Sequence, residues 1–169
     1  MRRAGLLLVV LIACVDRPAR NSPAVLSAAR DSADRAFALV QARGKVAMGV
    51  DQYTSFHRFE SLPDGGRISL QRDPGDSAGV AQIRSHMRTI ETAFARGDFA
   101  LPGMVHASDV PGTTVMAARG SRIRYVADTI PGGAQLRLET SDPSAVTAIH
   151  EFLAFQRQDH RSTSHEAGH

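Results

Sequence analysis

The sequence predicts an α+β domain in which a β-hairpin followed by a helix is built twice. The two units form an antiparallel four-stranded sheet with helices packed on one face, plus an N-terminal helix. Three observations lead there. Two strong turn signals, Pro63-Asp64-Gly65-Gly66 and Pro131-Gly132-Gly133, are each flanked by strand-like stretches. Each hairpin is followed by a stretch with apolar residues at three-to-four spacing, the mark of a helix with one buried stripe. Laying Pro63 on Pro131 puts Ile68 on Leu136 and Leu70 on Leu138; after a two-residue gap, Val80 and Ile83 fall on Val146 and Ile149. Neither hairpin can bury its apolar face alone, so one shared sheet covered by helices is the economical arrangement. Two units are too few for a repeat array.

The chain opens Met1-Arg2-Arg3, followed by the unbroken apolar run Gly5 to Ala13. That run is far shorter than the roughly 20 residues a membrane span needs, and it suits the core of a signal peptide, residues 1–13. It ends Leu11-Ile12-Ala13-Cys14, which resembles the lipobox of bacterial lipoproteins. The resemblance implies cleavage before Cys14, attachment of a diacylglycerol to its sulfur and acylation of the new amino group. Two or more acyl chains give the stable anchoring that one does not. Cys14 is also the single cysteine of the chain, so it has no intrachain disulfide partner. By analogy with lipoprotein sorting, Val15 in place of an aspartate favours the outer membrane over the inner one, on the periplasmic side.

Residues 14–23 read as a lipidated tether, polar and punctuated by proline. Ser27 to Gln41 reads as a helix with Leu26, Ala29, Ala33, Phe37 and Val40 on one stripe and Gly44 as its stop. The first half (about 45–100) then runs through a strand over 53–62, the turn, and a strand over 67–72 with Ile68 and Leu70 on one face. A helix capped by Asp76 or Ser77 follows, with Val80, Ile83, Met87, Ile90 and Phe94 as its stripe. A connecting stretch, His86 to Gly112, is broken at Gly97-Asp98, crosses Pro102-Gly103 to reach His106, and is broken again at Pro111-Gly112. The second half (about 112–160) has strands over 123–130 and 135–139. Its helix is capped by Ser141 or Asp142, has Pro143 at its first position, and carries Val146, Ile149 and Leu153 on one side. A single domain over 24–160 results, with 161–169 as a polar tail.

Charge excludes one class of partner. Removal of Arg2 and Arg3 leaves 18 basic residues against 17 acidic ones, and the arginines interleave with Asp and Glu. Nucleic-acid binding needs a basic face, and none is present; the expected partner is the membrane, through the lipid.

Seven histidines in a chain with one lysine and one cysteine are the main chemical resource. His57 shares a strand side with Phe59, in the register that Tyr125 occupies in the second half. His86 lies at the edge of its helix stripe, His106 in the central connection, and His150 on the apolar side of the last helix. With Met116, these supply imidazole and thioether donors for a transition-metal ion: copper with both, zinc or nickel with imidazoles. His86 and His106 lead that set, with His150, His57 and Met116 next. No pair has the i, i+4 spacing of a helical metal site, and a histidine on a helix edge often only packs.

His165-Glu166-Ala167-Gly168-His169 spells HExxH, yet Gly168 and the missing downstream ligand make a zinc-protease helix a chance match. The tail histidines, with His160, are left as loose metal scavengers. The chain carries no GxSxG elbow, P-loop or dinucleotide fingerprint. Asp73, Asp76 and Asp98 read as caps and turn acids, and Arg122 and Arg124 as a solvated strand face.

The run from His86 to Gly112, together with Ile149 to His160, is similar to small exported bacterial proteins whose activity is uncharacterised. The likeness covers roughly residues 45 to 160 and implies membership of such a group, without an activity. The expectation is therefore a lipid-anchored envelope protein, non-enzymatic, that holds a transition-metal ion or small ligand through histidines between its two halves. The alternative is an interaction or scaffold lipoprotein whose histidines are purely structural.

Overall fold

The computed structural model describes residues 22–49 and 51–162, with Gln52 as backbone only. The proposed signal peptide, Cys14, nearly all of the tether and the HExxH residues lie outside these. The chain groups into two units that divide between Asp34 and Arg35. The described part of the first is the opening of helix α1 (Pro23–Met48). There Leu26, Ala29 and Ala33 are exposed, so the expected apolar stripe is not a packing face in this stretch. Alanine buries little apolar area, and the stripe has little to gain there from a partner.

Helix α1 also begins and ends elsewhere than its sequence suggests. It starts at Pro23, where a fixed φ and a missing N–H suit the first turn, and the Ser22 hydroxyl accepts from the Val25 N–H at 3.4 Å. It runs straight through Gly44, which is buried. One interior glycine costs about 1 kcal/mol, too little to stop a helix whose Val40, Gln41, Gly44 and Met48 share a buried face. The stop is Gly49, at φ +72°, whose N–H donates to the Lys45 carbonyl at 2.9 Å.

A short 3-10 turn leads to β1 (Ser55–Leu62), and a tight turn to β2 (Gly65–Arg72). Helix α2 (Ser77–Ala95) is capped by Asp76, which accepts from the Gly79 N–H at 2.9 Å. Two short helices, α3 (Ala100–His106) and α4 (Thr113–Ala118), make the central connection. Pro102 and Gly103 lie inside α3; Pro102 falls in the first turn, where its missing N–H costs nothing. Gly112, at φ +81°, passes so close to α5 that a Cβ there would sit 2.1 Å from the Ala148 carbonyl oxygen. Strands β3 (Arg124–Ile130) and β4 (Gly133–Glu139) precede α5 (Pro143–Asp159), which Asp142 caps through the Ser144 N–H at 2.9 Å.

The four strands form one antiparallel sheet in the order β1-β2-β4-β3. The two hairpins meet at β2 and β4, where Ile68 is paired with Leu136. These are the residues that the internal repeat makes equivalent, so the duplication is realised as a local two-fold axis through that pair. The helices are exchanged about it: α2, from the first half, lies mainly over β3 and β4, while α5 lies over β1 and β2. The stripe residues Val80, Ile83, Met87, Ile90 and Phe94 are all buried, as are Ile149 and Leu153. Leu136, Leu138, Ile83 and Leu153 are among the residues sealed between sheet and helices. The other sheet face is polar and laced with ion pairs, among them Glu60–Arg67 at 2.8 Å and Arg124–Glu139. This one-sided burial is the ordinary behaviour of an antiparallel sheet. Among the described residues, no helix is long and apolar enough to cross a membrane.

Candidate functional site

Alternation along β1 sends His57 and Phe59 to the helix side, opposite Leu70 and Ile68 of β2. There the sheet, α2, α3, α5 and the end of α1 surround a cavity of about 80 Å³. Four histidines line it: His57 from β1, His86 from α2, His106 from the end of α3, and His160 just past α5. The rest of the lining is almost wholly apolar, with Met87, Ile90 and Phe152 typical, and the one other polar side chain is Gln156. No carboxylate, lysine, arginine, serine, threonine or cysteine belongs to the described lining.

The rings are ordered. His57 and His160 stack at 5.1 Å between centroids and 16° between planes, and Phe59 continues the stack 5.5 Å from His160. His106 meets His160 edge-on at 5.0 Å. His106 is 8% exposed and engaged at both ring nitrogens. Nδ1 bonds to the Asp159 carboxylate, and Nε2 lies 3.0 Å from Gln156 Oε1. Arg43 Nε, donating to the Val105 carbonyl at 2.6 Å, ties the end of α1 to the helix that carries His106. By contrast, His57 Nε2 and His160 Nδ1 are buried without a hydrogen-bond partner among the described residues.

Burial sets the charge state of this cluster, because taking an imidazolium out of water disfavours the protonated form. It lowers the His57 pKa to about 4, with repulsion from His86 adding to it. His86 is brought to about 4 by burial. His160 falls to about 3, through burial first and then through His57 and His106, against a smaller opposing pull from Asp159. These three rings are neutral at pH 7.

Of the expected site residues, His57, His86 and His106 come together. His150 does not: its Nε2 donates to the carbonyls of Leu62 and Gly65 at 2.9 and 3.0 Å, pinning the first hairpin turn to α5. Met116 is fully buried in the hydrophobic core and is not part of the cavity wall. Both were expected on sequence proximity or helix face alone, and neither of these fixes a position in three dimensions. His160, Gln156 and Asp159 were not expected at the site. Extending the α5 stripe by one more turn, from Ile149 and Leu153 to Gln156 and His160, is the signal that finds two of them. Asp73 and Asp98 act as expected, each accepting from a backbone N–H two residues on, at 2.9 and 3.0 Å. Arg122 pairs with Asp142 at 3.2 Å.

Among the described residues, no group of three or more His, Cys, Asp and Glu side chains is arranged to hold a metal ion. No protein-family model matches the chain, and neither a curated protein nor a solved structure matches it.

Proposed function

We propose that the protein is a lipid-anchored binding protein of the bacterial envelope that holds a small ligand in the histidine-lined cavity and performs no chemistry on it. The observation that carries this reading is the gathering of four imidazoles around one apolar cavity, two of them with buried ring nitrogens that have no partner among the described residues. Buried polar atoms ordinarily have partners, and a bound molecule would provide them. Apart from the imidazoles themselves, the described lining offers no nucleophile, and it holds no carboxylate to orient them as bases, which supports binding over catalysis. The lipid anchor rests on the lipobox-like Leu11 to Cys14 and the apolar run before it.

A transition-metal ion is the second reading. In its favour, burial keeps three of the imidazoles in the neutral form a metal needs. Against it, near-parallel stacked rings direct their in-plane lone pairs along separate planes, whereas ligands of zinc must converge to about 2.0–2.1 Å from one point. Both nitrogens of His106 are already engaged.

The test is made on the full chain in detergent micelles. Xenon, followed by ¹²⁹Xe NMR, reports whether the cavity admits a guest; zinc, copper and nickel titrations report the metal. Saturable xenon entry that is lost in Ile90→Trp, with no stoichiometric metal uptake, supports the small-ligand reading. One metal per chain, lost in His86→Ala, supports the metal instead. No guest of either kind leaves a tethered scaffold with structural histidines. Acyl labelling lost in Cys14→Ser tests the anchor.

A further inference from the structure

We infer that the ligand is a small uncharged molecule presenting a hydroxyl group, recognised by His57 and His160. The inference rests on the cavity being the ligand site and adds the chemistry of what enters it. Three observations carry it.

The first is charge. No aspartate, glutamate, lysine or arginine belongs to the described cavity wall, so a charged guest would be taken out of water with no such side chain of opposite sign to meet it, at high cost. Asp159, the nearest carboxylate in the hydrogen-bond network, is already bonded to His106. A charged guest would meet mainly apolar carbons and, at His57, His86 and His160, rings that burial keeps neutral.

The second is the pair of polar atoms left over. His57 Nε2 and His160 Nδ1 are buried, lack partners among the described residues, and belong to rings stacked face to face. A neutral imidazole donates from one nitrogen and accepts at the other, and which does which is free to follow the partner. A hydroxyl donates and accepts at once, so it can meet either free ring nitrogen in whichever tautomer that ring takes. The Oε1 of Gln156 faces His106 Nε2.

The third is size. At about 80 Å³ the cavity is several times the roughly 10–15 Å³ that one water occupies, and smaller than the roughly 150 Å³ apolar cavity known to take benzene. A chain of two to four carbons ending in a hydroxyl matches that volume, either as a free short-chain alcohol or as the buried end of a longer molecule.

The experiment uses the full chain in micelles, labelled with ¹⁵N at histidine, with 1-propanol, propionate, propylammonium and xenon as probes. The expected result is that 1-propanol saturates and moves the ring ¹⁵N resonances of His57 and His160, while both charged probes bind about tenfold or more weaker. His57→Phe and His160→Phe, each keeping a flat ring in the stack, lose 1-propanol affinity by about fivefold or more yet still admit xenon, which also shows that they fold. Charged probes binding within tenfold of 1-propanol, or phenylalanine variants that bind it unchanged, overturn the hydroxyl assignment while xenon entry leaves the cavity standing. If neither xenon nor any other probe enters, the cavity reading itself falls.

Discussion

The internal repeat makes the same corner twice, and the two corners have been put to different use. The offset that equates His57 with Tyr125 on the strands, and Val80 with Val146 on the helices, also equates Phe94 of α2 with His160. Because the helices are exchanged about the two-fold axis, Phe94 meets Tyr125 in one corner and His160 meets His57 in the other. The contacts correspond: ring centroids lie 5.9 Å apart in the first pair and 5.1 Å in the second. Phe94 and Tyr125 are 2% and 7% exposed and belong to the continuous hydrophobic core. His57 and His160 are half-buried and line the cavity. In the other corner the scaffold uses Phe94 and Tyr125 instead, although Phe94 also belongs to the wall of the histidine cavity and the Tyr125 hydroxyl is itself buried without a partner among the described residues. What the difference teaches is that the histidine corner is a departure from the fold's own solution, and departures of that kind belong to function more often than to packing.

The largest expected effect comes from breaking the packed corner. Phe94→Ala removes a ring that also contacts Phe99 at 4.5 Å and Phe152 at 5.9 Å. A loss of about 3–5 kcal/mol is expected in urea unfolding, from apolar transfer and the void left behind. His160→Ala, at the equivalent position, should cost about 1–2 kcal/mol, within the ordinary range for single substitutions. Equal losses would show that the two corners carry the same load and remove the contrast. The complementary experiment copies one corner into the other. The double variant His57→Phe/His160→Phe removes two buried nitrogens that have no partner among the described residues, and should gain about 0.5–2 kcal/mol while losing recognition of a hydroxyl. A double variant less stable than the parent would mean that the imidazoles hold the fold together.

Acid should separate the corners next. The pKa values of His57, His86 and His160 in the folded chain are lowered to about 4, 4 and 3 by burial, while in the unfolded chain they return to the ordinary value of 6.5. The unfolded state then binds more protons than the folded one at pH 5, so stability rises with pH there. This contribution is fully present above pH 6.5 and is lost as pH falls from there through 4 to about 3. Each group can contribute a slope of up to about 1.4 kcal/mol per pH unit within the window. The charged and titratable neighbours are few: His57 faces His86 and His160, and His160 also faces His106 and Asp159. Urea midpoints at pH 7, 6, 5 and 4 should fall less steeply in His57→Phe/His160→Phe, which retains one of the three groups. Asp64, held below the usual carboxylate range by its hydrogen bond to Arg137, titrates lower and alike in both proteins. Parallel slopes would show that these rings are not buried in solution.

Much of the fold was legible because it is written in local signals. Turn residues, alternation, and capping acids such as Asp76 and Asp142 act within a few positions of themselves, whereas the repeat that matches Ile68 with Leu136 did not say that these two residues would pair. The exchange of helices was not legible. Periodicity says that α2 has a buried stripe, but which hairpin the stripe covers is decided by α3, α4 and the close pass at Gly112. Sequential elements usually lie side by side, and here that expectation fails. Gly44 misled because a buried packing face outweighs the weak helix preference of one glycine. At the site, the strand side of His57 could be read from alternation. The role of His160 could not, since it sits where the α5 stripe merges into a polar tail. His150 and Met116 occupy apolar positions as convincingly as the cavity residues do, and a sequence gives no rule for telling one buried face from another.

His150 gives the smallest and sharpest of these contrasts, because it lies on the helix that His160 caps yet serves a different purpose. Its ring donates to two carbonyls at the first hairpin turn, a bond between α5 and the backbone that any donor of similar reach could make. His150→Gln should retain most of that bond, cost under about 1 kcal/mol, and leave entry of xenon and 1-propanol unchanged. His160→Gln keeps the polarity but destroys the ring stack with His57, and should disturb the cavity probes while changing stability no more than His150→Gln does. Measuring both variants for unfolding midpoint and for probe binding therefore sorts two histidines ten residues apart. If His150→Gln weakens 1-propanol as much as His160→Gln does, the effect travels through α5 as a whole, and the histidine corner loses its claim to be a local site.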